Sequence, residues 1–241
     1  MDPKGELLSL VKALKPWVAD SVNEGHGVAL EYREVSDVTE AVQGDSTTME
    51  QVPEYPPSVV TLAQVRAELG DCRRCPLSKT RRNLVFGEGS ERAELVFVGE
   101  APGEQEDLQG RPFVGRAGQL LTRIIEAMGL SRDHVYICNI LKCRPPGNRN
   151  PLQDEITICE PFLVKQLQAI RPRVICALGT FAAKTLLKTD TPISKLRGTF
   201  HVYQGIKLMP TYHPAYLLRN PGEKKQVWSD VRLIMKELGM S

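Results

Sequence analysis

Six cysteines are the residues of this chain most ready for chemistry. Cys72-Arg-Arg-Cys75 forms a C-x2-C pair, Cys143 follows 68 positions later, and Cys159 lies another 16 on. Four thiolates can hold a [4Fe–4S] cluster or, in an all-cysteine tetrahedral site, a zinc ion, and the two wide spacings do not choose between them. Pro76 after the pair, and Pro145 and Pro146 after Cys143, stiffen the turns such a site requires. Cys138 and Cys176 sit in apolar runs beside Ile137 and Ile175, where a cysteine reads as a buried free thiol.

A second set of residues is polar and turn-rich. Gly99-Glu-Ala-Pro-Gly103, Asn139 and His213-Pro-Ala-Tyr216 each stand at or just beyond the end of a short apolar run. Neither G-x-G-x-x-G nor G-x-x-x-x-G-K-[ST] occurs, which excludes the usual dinucleotide and P-loop sites.

The elements that must position these residues alternate in type. β-branched runs predict strands over Glu94–Gly99, Val135–Ile140, Arg173–Leu178 and Ile206–Thr211. Helical periodicity falls over Gly118–Met128, Asp154–Ile170, Thr180–Leu187 and Glu223–Leu238. Such alternation predicts an α/β fold with a mostly parallel sheet flanked by helices on both faces. Ligands bind beyond the carboxyl ends of strands in such sheets, and all three polar segments fall there.

Composition sets the frame. The 241 residues are 41% hydrophobic and 25% charged, which supports an ordinary folded core and excludes collagen-like or wholly disordered chains. No stretch approaches the roughly 18 consecutive apolar residues of a membrane helix. The N-terminus lacks the pattern of a signal peptide, so a cytoplasmic protein without structural disulfides or membrane attachment is expected. Residues 1–60 carry 4 Lys/Arg and 11 Asp/Glu, a net −7, whereas residues 61–241 carry 27 and 18, a net +9. A basic body suits a polyanionic partner such as nucleic acid. Leu7, Leu8, Leu10, Val11, Leu14 and Val18 predict a short helix over residues 5–20, which either packs on the body or docks a partner protein. An acidic, proline-ending linker follows over residues 23–58. The organisation expected is an N-terminal helix and linker in 1–58 and one catalytic domain in 59–241.

Taken together and in order, Cys72-x2-Cys75, Gly99-Glu-Ala-Pro-Gly-Glu-Gln-Glu106, Gly110-Arg-Pro-Phe-Val-Gly115, Asn139, Cys143-x15-Cys159 and His213-Pro-Ala-Tyr216 closely resemble the family 4 uracil-DNA glycosylases, the iron–sulfur branch of their superfamily. The resemblance covers about residues 60–240. It implies a central four-stranded parallel sheet, a [4Fe–4S] cluster on Cys72, Cys75, Cys143 and Cys159, and excision of uracil from single- or double-stranded DNA as the first step of base excision repair.

By the same resemblance, His213 donates to uracil O2 as the base departs as an anion, with the imidazole neutral or charged. Asn139 reads N3–H and O4, and Phe113 stacks on the ring. Glu100, Ala101 and Pro102 line the pocket, and Glu106 stands near uracil C5, where thymine carries its methyl. The chain departs from the family 1 pattern, which has an Asp where Ala101 stands, so no carboxylate has an obvious claim as general base: either Glu100 serves, or the rate comes from stabilising the departing uracil with water captured late. Leu217 or Leu218 is the expected wedge into DNA, and Arg144, Arg149, Lys142 and Arg219 the expected phosphate contacts. A rival reading is a covalent or non-turnover uracil-DNA-binding iron–sulfur protein. Relatives of that kind use a His in an insertion after the Cys143 position. This chain has no His between His134 and His201 and no insertion in 143–151, so turnover is expected; a monomer is the default expectation for an enzyme that scans DNA.

Overall fold

The computed structural model describes residues 60–240. The helix and linker expected over 5–20 and 23–58 lie outside the described residues.

Thr61 opens the first helix, α1 (Leu62–Leu69), with a capping box: its hydroxyl accepts from the Gln64 N–H, and the Gln64 carboxamide reaches back to the Thr61 N–H. After a short 3-10 turn at Pro76–Lys79 come β1 (Glu88–Gly89) and β2 (Leu95–Gly99). Two helices follow, α2 (Glu104–Gln109) and α3 (Arg116–Ala127), then β3 (Tyr136–Asn139) and the long α4 (Gln153–Ile170). β4 (Val174–Leu178) runs directly into α5 (Gly179–Leu187), and a short α6 (Ile193–Leu196) precedes the hairpin of β5 (His201–Tyr203) and β6 (Ile206–Thr211). The chain closes with α7 (Pro214–Arg219) and α8 (Lys224–Glu237).

The four expected strands form the middle of the sheet and are mutually parallel, in the order β3-β2-β4-β6. The sheet has six strands rather than four. β1 adds to β3 and β5 adds to β6, both antiparallel, at the two edges. These additions are two and three residues long, too short for any periodicity to mark them. β5 covers β6 only as far as Leu208, so Pro210 stands on a part of β6 that no sixth strand overlays.

Side chains of successive residues leave opposite faces of the sheet. Val96, Val98, Ile175, Ala177 and Leu208 pack with α1, α4 and α5 in one core. Leu95, Phe97, Val174, Cys176 and Met209 pack with α3, α7 and α8 in the other. Both faces are thus covered, and β2 and β4 are buried at every residue, which explains their unbroken apolar runs. Cys138 and Cys176 are buried free thiols, one in each core.

Candidate active site and cysteine cluster

The carboxyl ends of the parallel strands gather the polar segments. Gly99, the last residue of β2, pairs in register with Asn139, the last of β3. A Cβ on Gly99 would collide with Asn139 Oδ1 and with the ring edge of Phe113, so glycine lets those side chains meet over the strand end. Asn139 is buried, and its Oδ1 makes no hydrogen bond. An unsatisfied buried acceptor costs about 1–3 kcal/mol, and a ligand donor would recover it.

Phe113 lies in the loop between α2 and α3 and adopts a left-handed backbone (φ 52°), a strained state for an aromatic residue. Neighbours hold it there. Arg132 donates to the carbonyls of Pro112 (2.7 Å) and Phe113 (3.1 Å) and is itself paired with Glu88, which also binds Arg111. Glu106 accepts from the N–H groups of Val114 (2.9 Å), Gly115 (2.8 Å) and Gly103 (3.1 Å). One carboxylate therefore fastens the loop after β2 to the loop that carries Phe113.

His213 follows β6. Thr211 at the end of that strand donates to the buried Asp230 of α8 (2.6 Å), and Arg197 holds the same carboxylate, which fixes the approach to the histidine. The ring lies 5.7 Å from that of Phe113, centroid to centroid. Gly179 (φ 88°) opens α5 beside it, and a Cβ there would stand 2.8 Å from His213 Cβ. His213 Nδ1 accepts from the Ala215 N–H (3.1 Å), so the neutral ring carries its proton on Nε2. Burial, with Arg219 adding to it, pulls the His213 pKa down to about 4, and Glu106 opposes the shift. The imidazole is accordingly a neutral donor, a choice the sequence leaves open.

Glu100 is half-buried beyond β2, and burial alone pushes its carboxyl up to about 7. Its carbonyl accepts from the Leu141 N–H (3.0 Å), but among the described residues its carboxyl has no ion-pair or hydrogen-bond partner. Ala101 packs against the core beside it, and Pro102 is buried. Asn139, Phe113, Glu106 and His213 thus converge at one sheet end, with Glu100 in the adjoining loop.

The expected DNA contacts divide. Leu217 is 1% exposed and packs in the core behind α3, so it is no wedge, whereas Leu218 is exposed. Lys142 is fully buried and reaches no phosphate. Arg149 is exposed but held in a bidentate pair with Glu155 (2.6 and 2.9 Å). Arg144 is bonded to Asn148, and Arg219 lies exposed at the end of α7. Sequence reading missed Arg132 and Gly179, whose partners are distant in the chain and carry no local signal.

Cys72, Cys75, Cys143 and Cys159 are free thiols gathered in the core on the α1–α4 side. Among the described residues, no three His, Cys, Asp or Glu side chains group as ligands of a single metal ion. The surroundings of the thiols are cationic. Arg81 donates to the Cys72 carbonyl (2.8 Å) and to Cys143 Sγ (3.4 Å), and Arg74 reaches Cys72 Sγ (3.3 Å). Burial pushes Cys143 up to about 12, with Arg81 opposing and Cys159 and Cys75 adding to it. Lys142 Nζ donates to the Asn139 carbonyl and to Gln166 Oε1, both at 2.6 Å, and meets no carboxylate among the described residues. Burial pushes its pKa down, while Cys138, Cys159 and Cys143 push it up. Four free thiols on one core, with Arg74 and Arg81 on two of them and the buried Lys142 preceding Cys143 in the chain, have the chemistry of an anionic thiolate-ligated cluster.

Residues 86–232 match the family model described as the uracil DNA glycosylase superfamily. A type-4 uracil-DNA glycosylase of Saccharolobus solfataricus is 47% identical over 180 residues, covering 71% of this chain and 83% of the relative. The chain belongs to the uracil-DNA glycosylase superfamily, in its type-4 branch. The type-4 enzyme of Archaeoglobus fulgidus is 46% identical over 182 residues, 72% of this chain and 92% of its own. That of Thermotoga maritima is 50% identical over 151 residues, 62% and 79%. As a type-4 member, the chain carries the resemblance that its cysteine spacing and three loop motifs first suggested.

Proposed function

We propose that this chain excises uracil from DNA, flipping the nucleotide out of the stack and hydrolysing its N-glycosidic bond to leave an abasic site that base excision repair then processes. The observation that carries this is the unpartnered Oδ1 of Asn139 beside the Phe113 ring and the neutral imidazole of His213.

Uracil presents N3–H to Asn139 Oδ1 and O4 to the carboxamide nitrogen. Cytosine reverses both, leaving buried polar groups unpaired at about 1–3 kcal/mol each. Phe113 offers a face for stacking. As the bond breaks, the sugar becomes oxocarbenium-like and charge grows on the uracil oxygens. His213 Nε2–H donates to O2 at that moment, without a proton transfer that would require a charged imidazole. Glu106 stands against C5 and excludes the thymine methyl sterically. Glu100, ionised above about pH 7, orients the attacking water. Leu218 fills the gap left by the flipped base, and Arg144 and Arg219 meet phosphates.

Cys72 and Cys75 in the loop after α1, Cys143 after β3 and Cys159 on α4 would hold a [4Fe–4S] cluster, which would supply negative charge and order to those segments. Residues 59–241 act as one catalytic domain, monomeric and cytoplasmic. No described helix is long and apolar enough to cross a membrane.

The test is an end-labelled oligonucleotide with a single uracil, incubated with cluster-loaded protein and then treated with hot alkali. Catalytic, alkali-dependent cleavage at uracil and none at a thymine control is expected. A protein–DNA adduct that survives denaturant, without turnover, would overturn the reading.

A further inference from the structure

Lys142 is the least expected residue of the fold: a lysine with no exposed surface, immediately before a cluster cysteine. Its ammonium bonds only to neutral oxygens. One is the main-chain carbonyl of Asn139, whose side chain carries the orphan acceptor of the pocket. The other is Gln166 Oε1 of α4, the helix that also carries Cys159. Gln166 is itself buried and committed, donating to the Phe86 carbonyl (2.9 Å) and to the Tyr136 hydroxyl (3.3 Å). A solvent-excluded ammonium with neutral partners is costly unless an anion lies nearby. Cluster cysteines flank it on both sides: Cys143 follows it in the chain, and Cys159 lies on the same helix as Gln166.

We propose that Lys142 is a positioning residue that couples the iron–sulfur site to uracil recognition. The anionic cluster holds the ammonium in place, and the ammonium holds the Asn139 peptide, fixing the end of β3 at which Asn139 faces Phe113. This rests on the reading of the four cysteines as cluster ligands. Outer-shell partners of metal sites typically change affinity or activity by about 10–100-fold when removed. Lys142 differs from such a partner in serving two sites through one atom.

The experiment uses the full chain and Lys142→Met, which keeps the length of the side chain and removes the charge. Two quantities are read: the rate of bleaching of visible absorbance by an iron chelator, and single-turnover excision of uracil with DNA affinity measured separately. Bleaching faster by about tenfold or more, together with a similar loss of excision rate at unchanged DNA affinity, is expected. Faster bleaching with unchanged excision would overturn the link, as would slower excision with unchanged bleaching, or no change in either. Should Lys142→Met not fold, Gln166→Met removes the other anchor of the ammonium and is expected to move both quantities in the same direction. If it moves neither, the link is overturned. Absence of iron, sulfide and visible absorbance from the unsubstituted protein would instead refute the cluster reading, and the link would fall with it.

Discussion

At the scale of single residues, the site works by leaving selected groups unsatisfied or neutral. Asn139 Oδ1 lacks a partner, and His213 stays neutral because burial and the Ala215 N–H both disfavour a second ring proton. His213→Ala is expected to lower the single-turnover excision rate by about 100–1,000-fold, the usual loss for one donor to a developing anion, with DNA affinity changed little. Titration separates the two ionisable groups. His213 titrates near 4 and gives no limb in the pH–rate profile above pH 5, whereas Glu100 titrates near 7. The rate should therefore rise with pH through about 7 as Glu100 ionises, and Glu100→Gln should abolish that limb. The same shifts act on stability in opposite windows. The Glu100 contribution is complete below the ordinary carboxylate range and is lost as pH rises through about 7. That of neutral His213 is complete above 6.5 and is lost as pH falls toward about 4.

At the scale of elements, strand ends and glycines do the positioning. Gly99→Ala would force its methyl into Asn139 and Phe113. Overpacking of this kind costs about 1–3 kcal/mol, and each kcal/mol lowers Tm by about 2–4 °C in a domain of this size. Calorimetry should show that loss, and excision should fall with it because both displaced side chains belong to the pocket. The four central strands and their helices were legible because burial on both faces writes continuous apolar runs and amphipathic helices into the sequence. β1 and β5 were not legible, since a pairing of two or three residues is dictated by the neighbouring strand rather than by its own pattern. Among site residues, His213, Asn139 and Phe113 stood out through their motifs. Leu217 and Leu218 are chemically identical, and only the phase of α7 buries one and exposes the other. Lys142 reads as surface because a lysine near arginine and proline signals a solvated turn, and its side-chain partner Gln166 arrives from α4, 24 residues away.

At the scale of the molecule, charge is divided along the chain, −7 over residues 1–60 against +9 over the remainder. Negative charge carried on the same chain as a basic body lowers the net attraction of the whole molecule for phosphate. A variant lacking residues 1–58 should bind uracil-free duplex more tightly at low salt, and the difference should shrink as salt is raised. Fluorescence anisotropy across a salt series would reveal it.

The rim of the sheet has a consequence for life in a crowded cell. An open sheet edge invites foreign strands to add to it, the first step of aggregation. Here the outermost strand beyond β6 offers only three residues, and where it stops β6 is itself buried and Pro210 has no amide hydrogen to give. A stray segment could form one or two bonds and then lose its template. That border of the sheet therefore gives a foreign strand no long template to extend.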